Sequence, residues 1–162
     1  MLTSVPTRSP LRHRRLVAAT LTAAAVAFGG VVTAAPAAAG TIGQSLGQRA
    51  VAEASRHAGQ SYEWAAAGPT RFDCSGLTVY VFGRLGRSLP HSAAAQYDSP
   101  GVRHVSRAQL AVGDLVFTVR SGGIGHVGIY AGNNEMWAAT QTGDVVRKQS
   151  LAGRTLLFGR VS

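Results

Sequence analysis

Cys74 and His126 are the two side chains in this sequence whose types and settings suit nucleophilic chemistry. Cys74 is the only cysteine, in FDCSGLTVYVFGRLG, with Asp73 before it and Ser75-Gly76 after it. A lone cysteine has no partner for an internal disulfide, so it is a packed inert thiol, an intermolecular partner or a reactive group. Leu77, Val81 and Leu85 recur every four residues just beyond it, which predicts a helix whose first turn holds Cys74 and Ser75. A helix N-terminus carries free N–H groups and a partial positive charge, so the expected thiol pKa is lower than usual. The N–H groups of Cys74 and Ser75 could then hydrogen-bond the oxyanion formed when a thiolate attacks a carbonyl. Gly76 would leave the approach uncrowded, and Asp73 reads first as the cap of this helix.

A cysteine nucleophile needs a base. Beyond the N-terminal segment the candidates are His57, His91, His104 and His126. His57 falls at a predicted helix end as a solvated residue, His91 in LPHS is exposed, and His104 lies in a polar loop, none with a clear partner. His126 opens the strand-like stretch HVGIYAG after the glycine-rich GGIG, where a substrate backbone can approach closely. No His, Asp or Glu cluster has metal-ligand spacing, so neither a metal nor a cofactor is expected.

The elements that must position these groups are short. Ile42, Leu46, Ala50 and Ala54 mark an amphipathic helix from about Thr41 to His57, stopped by Gly59. SAAAQYD reads as a short helix capped by Ser92. DLVFTVR, HVGIYAG, EMWAAT, DVVRKQS and TLLFGRV then read as strands, with Gly132, Asn133 and Asn134 forming a hairpin turn. Helices first and an antiparallel meander second predict an α+β domain of about five strands with the helices on one face.

The segment before this domain is of another kind. Arg8, Arg12, Arg14 and Arg15 precede an apolar stretch from Leu16 to about Phe28, and APAAAG follows. This is the layout of a secretory signal over residues 1–39, with cleavage near Gly40 and residues 40–162 as one domain. The apolar stretch is too short to span a bilayer, and LVAAT after Arg14-Arg15 favours the general secretory route over twin-arginine export. Removing those four arginines lowers the net charge from +9 to +5, and the remaining arginines do not cluster. That spread suits loose attraction to an anionic wall and speaks against nucleic acid.

YEW, DCSG, LAVGDLVF and GHVGIYAGN, in this order, resemble the NlpC/P60 family of cysteine peptidases over about Ser45 to Val161. The resemblance implies a papain-like core, with the nucleophile at a helix N-terminus packed on an antiparallel sheet. It assigns the nucleophile to Cys74 and the base to His126, and places the hydroxyl of Tyr62 near the oxyanion. The family's third member, a polar residue twelve positions beyond the base, is here Ala138, which cannot accept a hydrogen bond from imidazole. Thr140 lies on the same strand face, and Gln141 could approach through a bulge, so either could substitute.

The implied substrate is the peptidoglycan stem peptide, cut by a monomer between D-glutamate and diaminopimelate, with Arg71, Arg103 and Arg120 as candidate partners for its carboxylates. Two alternatives stay open. Ala138 fits a weakened or inactive relative that binds wall peptide, and the Cys-then-His order also fits a CHAP-like amidase.

Overall fold

Ser45 starts the first helix. Its hydroxyl accepts the N–H of Gln48, and the Gln48 side chain accepts the N–H of Ser45 in return, so two otherwise orphaned donors are satisfied reciprocally. Helix α1 runs Leu46–Ser55 and buries Ala50 and Ala54. The computed structural model describes residues 43–162, so the expected leader over 1–39 and the expected helix start at Thr41 lie outside the described residues. Helix α2, Cys74–Arg84, is capped by Asp73 and buries Leu77, Val81 and Phe82. Helix α3, Ala93–Tyr97, is capped by Ser92 as its sequence predicts.

The sheet has six strands: β1 Val102–Val105, β2 Leu115–Arg120, β3 Gly123–Gly132, β4 Glu135–Ala138, β5 Arg147–Ser150 and β6 Thr155–Val161. Their order is β1-β6-β2-β3-β4-β5, antiparallel throughout. The meander expectation holds for β2 to β5, and β6 then returns to the far side of β2. The strand missing from the sequence reading is β1, which carries His104 on a strand rather than in a loop. VRHV is only four residues long with a mixed burial pattern, and it becomes a strand by pairing at the sheet edge with β6.

Alternation along the strands builds two cores. Leu115, Phe117, Val127 and Ile129 face α1 and α2, joined by Phe72, Leu77, Val81 and Phe82. Val116, Met136, Ala138 and Phe158 form a second cluster with Val105 and Leu151. A buried side chain of this size contributes about 1.5–3 kcal/mol, so the first core holds α2 firmly against β3.

The segment LAVGDLVF serves the fold. Gly113, at φ +91°, meets the backbone of Gly47 in α1, where a Cβ on either residue would collide with the other chain segment. Asp114 accepts the N–H of Ala111 and forms an ion pair with Arg160 at 2.7 Å. These contacts tie α1 and β6 to the start of β2.

Candidate active site

Asp73 organises the start of α2. One carboxylate oxygen accepts the N–H of Gly76 at 2.6 Å and the hydroxyl of Ser75 at 3.1 Å, and the other accepts the N–H of Ala65 at 3.0 Å. The His91 Nε2 sits 2.9 and 3.0 Å from the two oxygens. This buried carboxylate thus fixes the helix end, the loop before it and the loop after it. His91 therefore has a partner, contrary to its sequence reading. So do His57, whose Nδ1 meets the Gln60 side chain in an aromatic pocket of Phe72 and Tyr80, and His104, which stacks on Tyr97. Such partners lie far off in sequence or depend on loop geometry, and no motif announces them.

Gly76 plays a different part from the one expected. A Cβ there would collide with the Ala66 carbonyl, so the missing side chain admits the 65–67 loop against α2. The Asp73 N–H donates to Ala66 O at 2.8 Å and completes that contact.

Cys74 is half-buried on the floor of a cleft of about 360 Å³, with Trp64 and Ala65 on one wall and His91, Ile124 and Gly125 on others. Trp64 is 80% exposed at its rim. The N–H groups of Val127 on β3, of Ser75 and of Cys74 itself act on the thiol in the direction that favours the thiolate. The pairing of β3 with β4 runs no further toward the site than Ile129 opposite Trp137, which leaves the Val127 N–H free for the thiol. The thiol pKa is nevertheless raised, chiefly by burial and further by the Asp73 charge, against the lowering effect of the N–H donors. Burial thus outweighs the N–H donors at the helix end, against the lowered pKa expected from the sequence.

His126 precedes Val127, so the sulfur abuts β3 beside the histidine. Register shifts between Thr118 and Val119, so Thr118 pairs with His126 and Val119 with Ile124, leaving Gly125 as a bulge in the cleft wall. The imidazole itself is only 2% exposed, less open than its glycine-rich approach suggests. Burial, with Arg154 and Arg120 nearby, pushes its pKa down to about 4. At neutral pH the two groups are a thiol and a neutral imidazole. The Nε2 of His126 is buried without a hydrogen-bond partner among the described residues.

Tyr62 is carried to the site by its bridge to Phe72 and by its N–H to Asp144 O at 2.9 Å. Its hydroxyl pKa is raised by burial and by the nearby Cys74 and Asp73, so it stays a proton donor. Ala138 is fully buried in the second core. The hydroxyl of Thr140 accepts from Gln149 Nε2 and bonds the Asp144 carboxylate, and Gln141 is exposed in a turn. Neither bonds His126. Gln149, buried on β5 and also 3.4 Å from Ala138 O, is a polar neighbour the sequence does not single out. Of the candidate arginines, Arg71 pairs with Glu63 at 2.7 Å, Arg103 is exposed on β1, and Arg120 lies toward His126. Among the described residues no three His, Cys, Asp or Glu side chains gather as a metal site, and no helix is long and apolar enough to cross a membrane.

Comparison with known proteins gives the family and fold of the chain. A profile of the NlpC/P60 family matches residues 59–157. The chain is 45% identical over 114 residues to a probable endopeptidase p60 of Listeria monocytogenes, covering 68% of this chain and 23% of that protein. It spans about a fifth to a quarter of the length of the first curated relatives it matches. Among solved structures, the NlpC/p60 domain of the peptidoglycan hydrolase SagA superposes with a TM-score of 0.62 at 34% identity, covering 72% of this chain and 97% of that one. RipD of Mycobacterium tuberculosis, described as a non-catalytic NlpC/p60 domain protein adapted to peptidoglycan binding, also superposes with a TM-score of 0.62. It is 29% identical, and the match covers 74% of this chain and all of that one.

Proposed function

The chain belongs to the NlpC/P60 family, and from that premise we propose that it is a cysteine endopeptidase of peptidoglycan stem peptides, with Cys74 as nucleophile and His126 as base. One observation carries this reading: the only thiol sits at the N-terminus of α2, in an open cleft, with its sulfur on the β3 backbone beside His126. The peptidase names of relatives and the peptidoglycan substrate of SagA support the reaction class.

The resting pair is uncharged, so His126 acts as a true general base. As the sulfur attacks the amide carbonyl, the thiol proton passes to the imidazole. Backbone N–H groups at the start of α2 and the Tyr62 hydroxyl steady the oxyanion. The imidazolium then gives its proton to the departing amine, and a thioester remains. Water attacks the thioester, His126 takes its proton, and the thiol is restored as the carboxylic acid leaves. The bond cut is the one between D-glutamate and diaminopimelate. The protein acts outside the membrane as a monomer after loss of residues 1–39, so a secreted sample begins near Gly40.

The test is incubation of residues 40–162, thiol reduced, with purified stem peptide, read by mass spectrometry. Two fragments are expected, with none from Cys74→Ala. Intact peptide after long incubation overturns catalysis. It would favour the second reading, a wall-binding relative, which Ala138 and the non-catalytic RipD support.

A further inference from the structure

Three buried side-chain polar atoms lack a hydrogen-bond partner among the described residues: His57 Nε2, Thr118 Oγ1 and His126 Nε2. The last two belong to residues directly opposite one another on β2 and β3. Thr118 is 6% exposed and His126 2%. Residues paired in this way have Cβ atoms about 4.5–5.5 Å apart on one face of the sheet. An unmatched buried polar atom costs about 1–3 kcal/mol, and such atoms are few in native proteins. Two of them facing each other can cancel both penalties, since a hydroxyl accepts and an imidazole N–H donates.

We propose that Thr118 is the positioning residue for His126, filling from β2 the role that Ala138 leaves vacant on β4. The His126 Nε2–H donates to the Thr118 hydroxyl, directly after a turn of the threonine side chain or through one enclosed water. That bond fixes the tautomer in which Nδ1 carries no proton and is free to take one from the Cys74 thiol. It also supports the imidazolium, which burial, Arg120 and Arg154 otherwise disfavour. The alternatives on the far side are already engaged: Thr140 by Gln149 and Asp144, and Ala138 by apolar packing. The functional consequence rests on the peptidase reading above, whereas the hydrogen bond itself does not.

Two measurements separate these. In the resting protein, imidazole ¹⁵N spectra at neutral pH should show His126 protonated at Nε2, with a slowly exchanging ring proton. Thr118→Val, which removes the hydroxyl at constant shape, should give mixed tautomers and fast exchange, and Thr118→Ser should restore the original spectrum. A wild-type His126 protonated at Nδ1, or a Thr118→Val spectrum equal to the wild type, overturns the proposal whether or not the protein cuts peptide. In the cleavage assay, Thr118→Val should lower kcat about 10- to 100-fold, the weight of one hydrogen bond to a charged group. KM should be unchanged, and Thr118→Ser should return kcat to within a few-fold. Unchanged kcat in a cutting enzyme overturns it too. Should Thr118→Val not fold, the wild-type and Thr118→Ser spectra decide.

Discussion

The two halves of the site are built on different terms. Around Cys74 the Asp73 carboxylate takes two backbone N–H groups, the Ser75 hydroxyl and His91, and the N–H groups of Val127, Ser75 and Cys74 bear on the thiol. Around His126 polar partners are sparse: its Nε2 and the Thr118 Oγ1 opposite have no other partner among the described residues, which leaves the bond proposed between them, and Ala138 packs in an apolar cluster. The difference separates holding from doing. The helix end is rigid because the fold itself needs Asp73 there, so the thiol is placed at no cost particular to catalysis. The imidazole is held by burial, which keeps it neutral, and by the one bond proposed to Thr118, so its orientation rests on few contacts. Changes on the Asp73 side should therefore register first as lost stability, and changes on the His126 side as altered proton affinity.

The largest effect should come from Asp73→Ala. It removes a helix cap, worth about 1 kcal/mol, strands the buried Gly76 N–H and frees the part-buried Ala65 N–H. A loss of about 2–4 kcal/mol in urea unfolding is expected, with cleavage falling alongside. A loss under about 0.5 kcal/mol would break the contrast, since the helix end would then be no better held than the base.

Next comes pH. His126 has a folded-state pKa of about 4, below the ordinary 6.5. Between those values the unfolded chain binds a proton that the folded one refuses, so stability is full above pH 6.5, falls as the pH drops towards 4, and levels off below it. The drop attributable to this group is about 3 kcal/mol. His126→Phe should flatten that part of the curve in urea titrations at pH 4 to 7, and an unaltered slope would mean that the imidazole is not held neutral by burial.

The same contrast explains what the sequence could reveal. Cys74 at a helix start, the Asp73 and Ser92 caps, the Gly132-Asn133-Asn134 turn and five of six strands follow from local spacing and residue type, and the structure carries each of them. Burial raises the Tyr62 hydroxyl pKa, and Tyr62 lies near enough to Cys74 and Asp73 for their charges to raise it further. What stayed hidden depends on burial or on distant partners. The thiol's raised pKa needs the depth of the cleft, and the His91 link needs the loop after α2 to fold back eighteen residues onto Asp73. Gly76 looks the same in sequence whether it admits a substrate or the 65–67 loop. Thr118 reads as an ordinary β-branched strand residue until pairing sets it opposite His126.

Ala138→Asn is the next smaller step. It inserts a polar side chain into a filled apolar cluster with Met136 and Val116, and overpacking of this kind costs about 1–3 kcal/mol. Urea unfolding with no loss would mean that the face beneath the base has room for an orienting side chain, and the two halves would differ less than proposed.

The smallest effect tests the nucleophile's electrostatics without disturbing its scaffold. Burial raises the Cys74 pKa most, the Val127 N–H opposes it, and the Asp73 charge ranks third. In the resting protein, alkylation by iodoacetamide should therefore accelerate only above the pH at which an unperturbed cysteine reacts, since the thiolate is the reacting species. Asp73→Asn keeps an acceptor for the Gly76 N–H but removes the negative charge, so the alkylation profile should move to lower pH by a small amount, with burial still holding it above the ordinary value. A wild-type profile already below that value would restore the helix dipole as the dominant influence. A shift to higher pH in Asp73→Asn would mean that the carboxylate acts on the thiol chiefly by aiming the N–H groups of Cys74 and Ser75 at sulfur, and the nucleophile's half of the site would then be tuned by geometry rather than by charge.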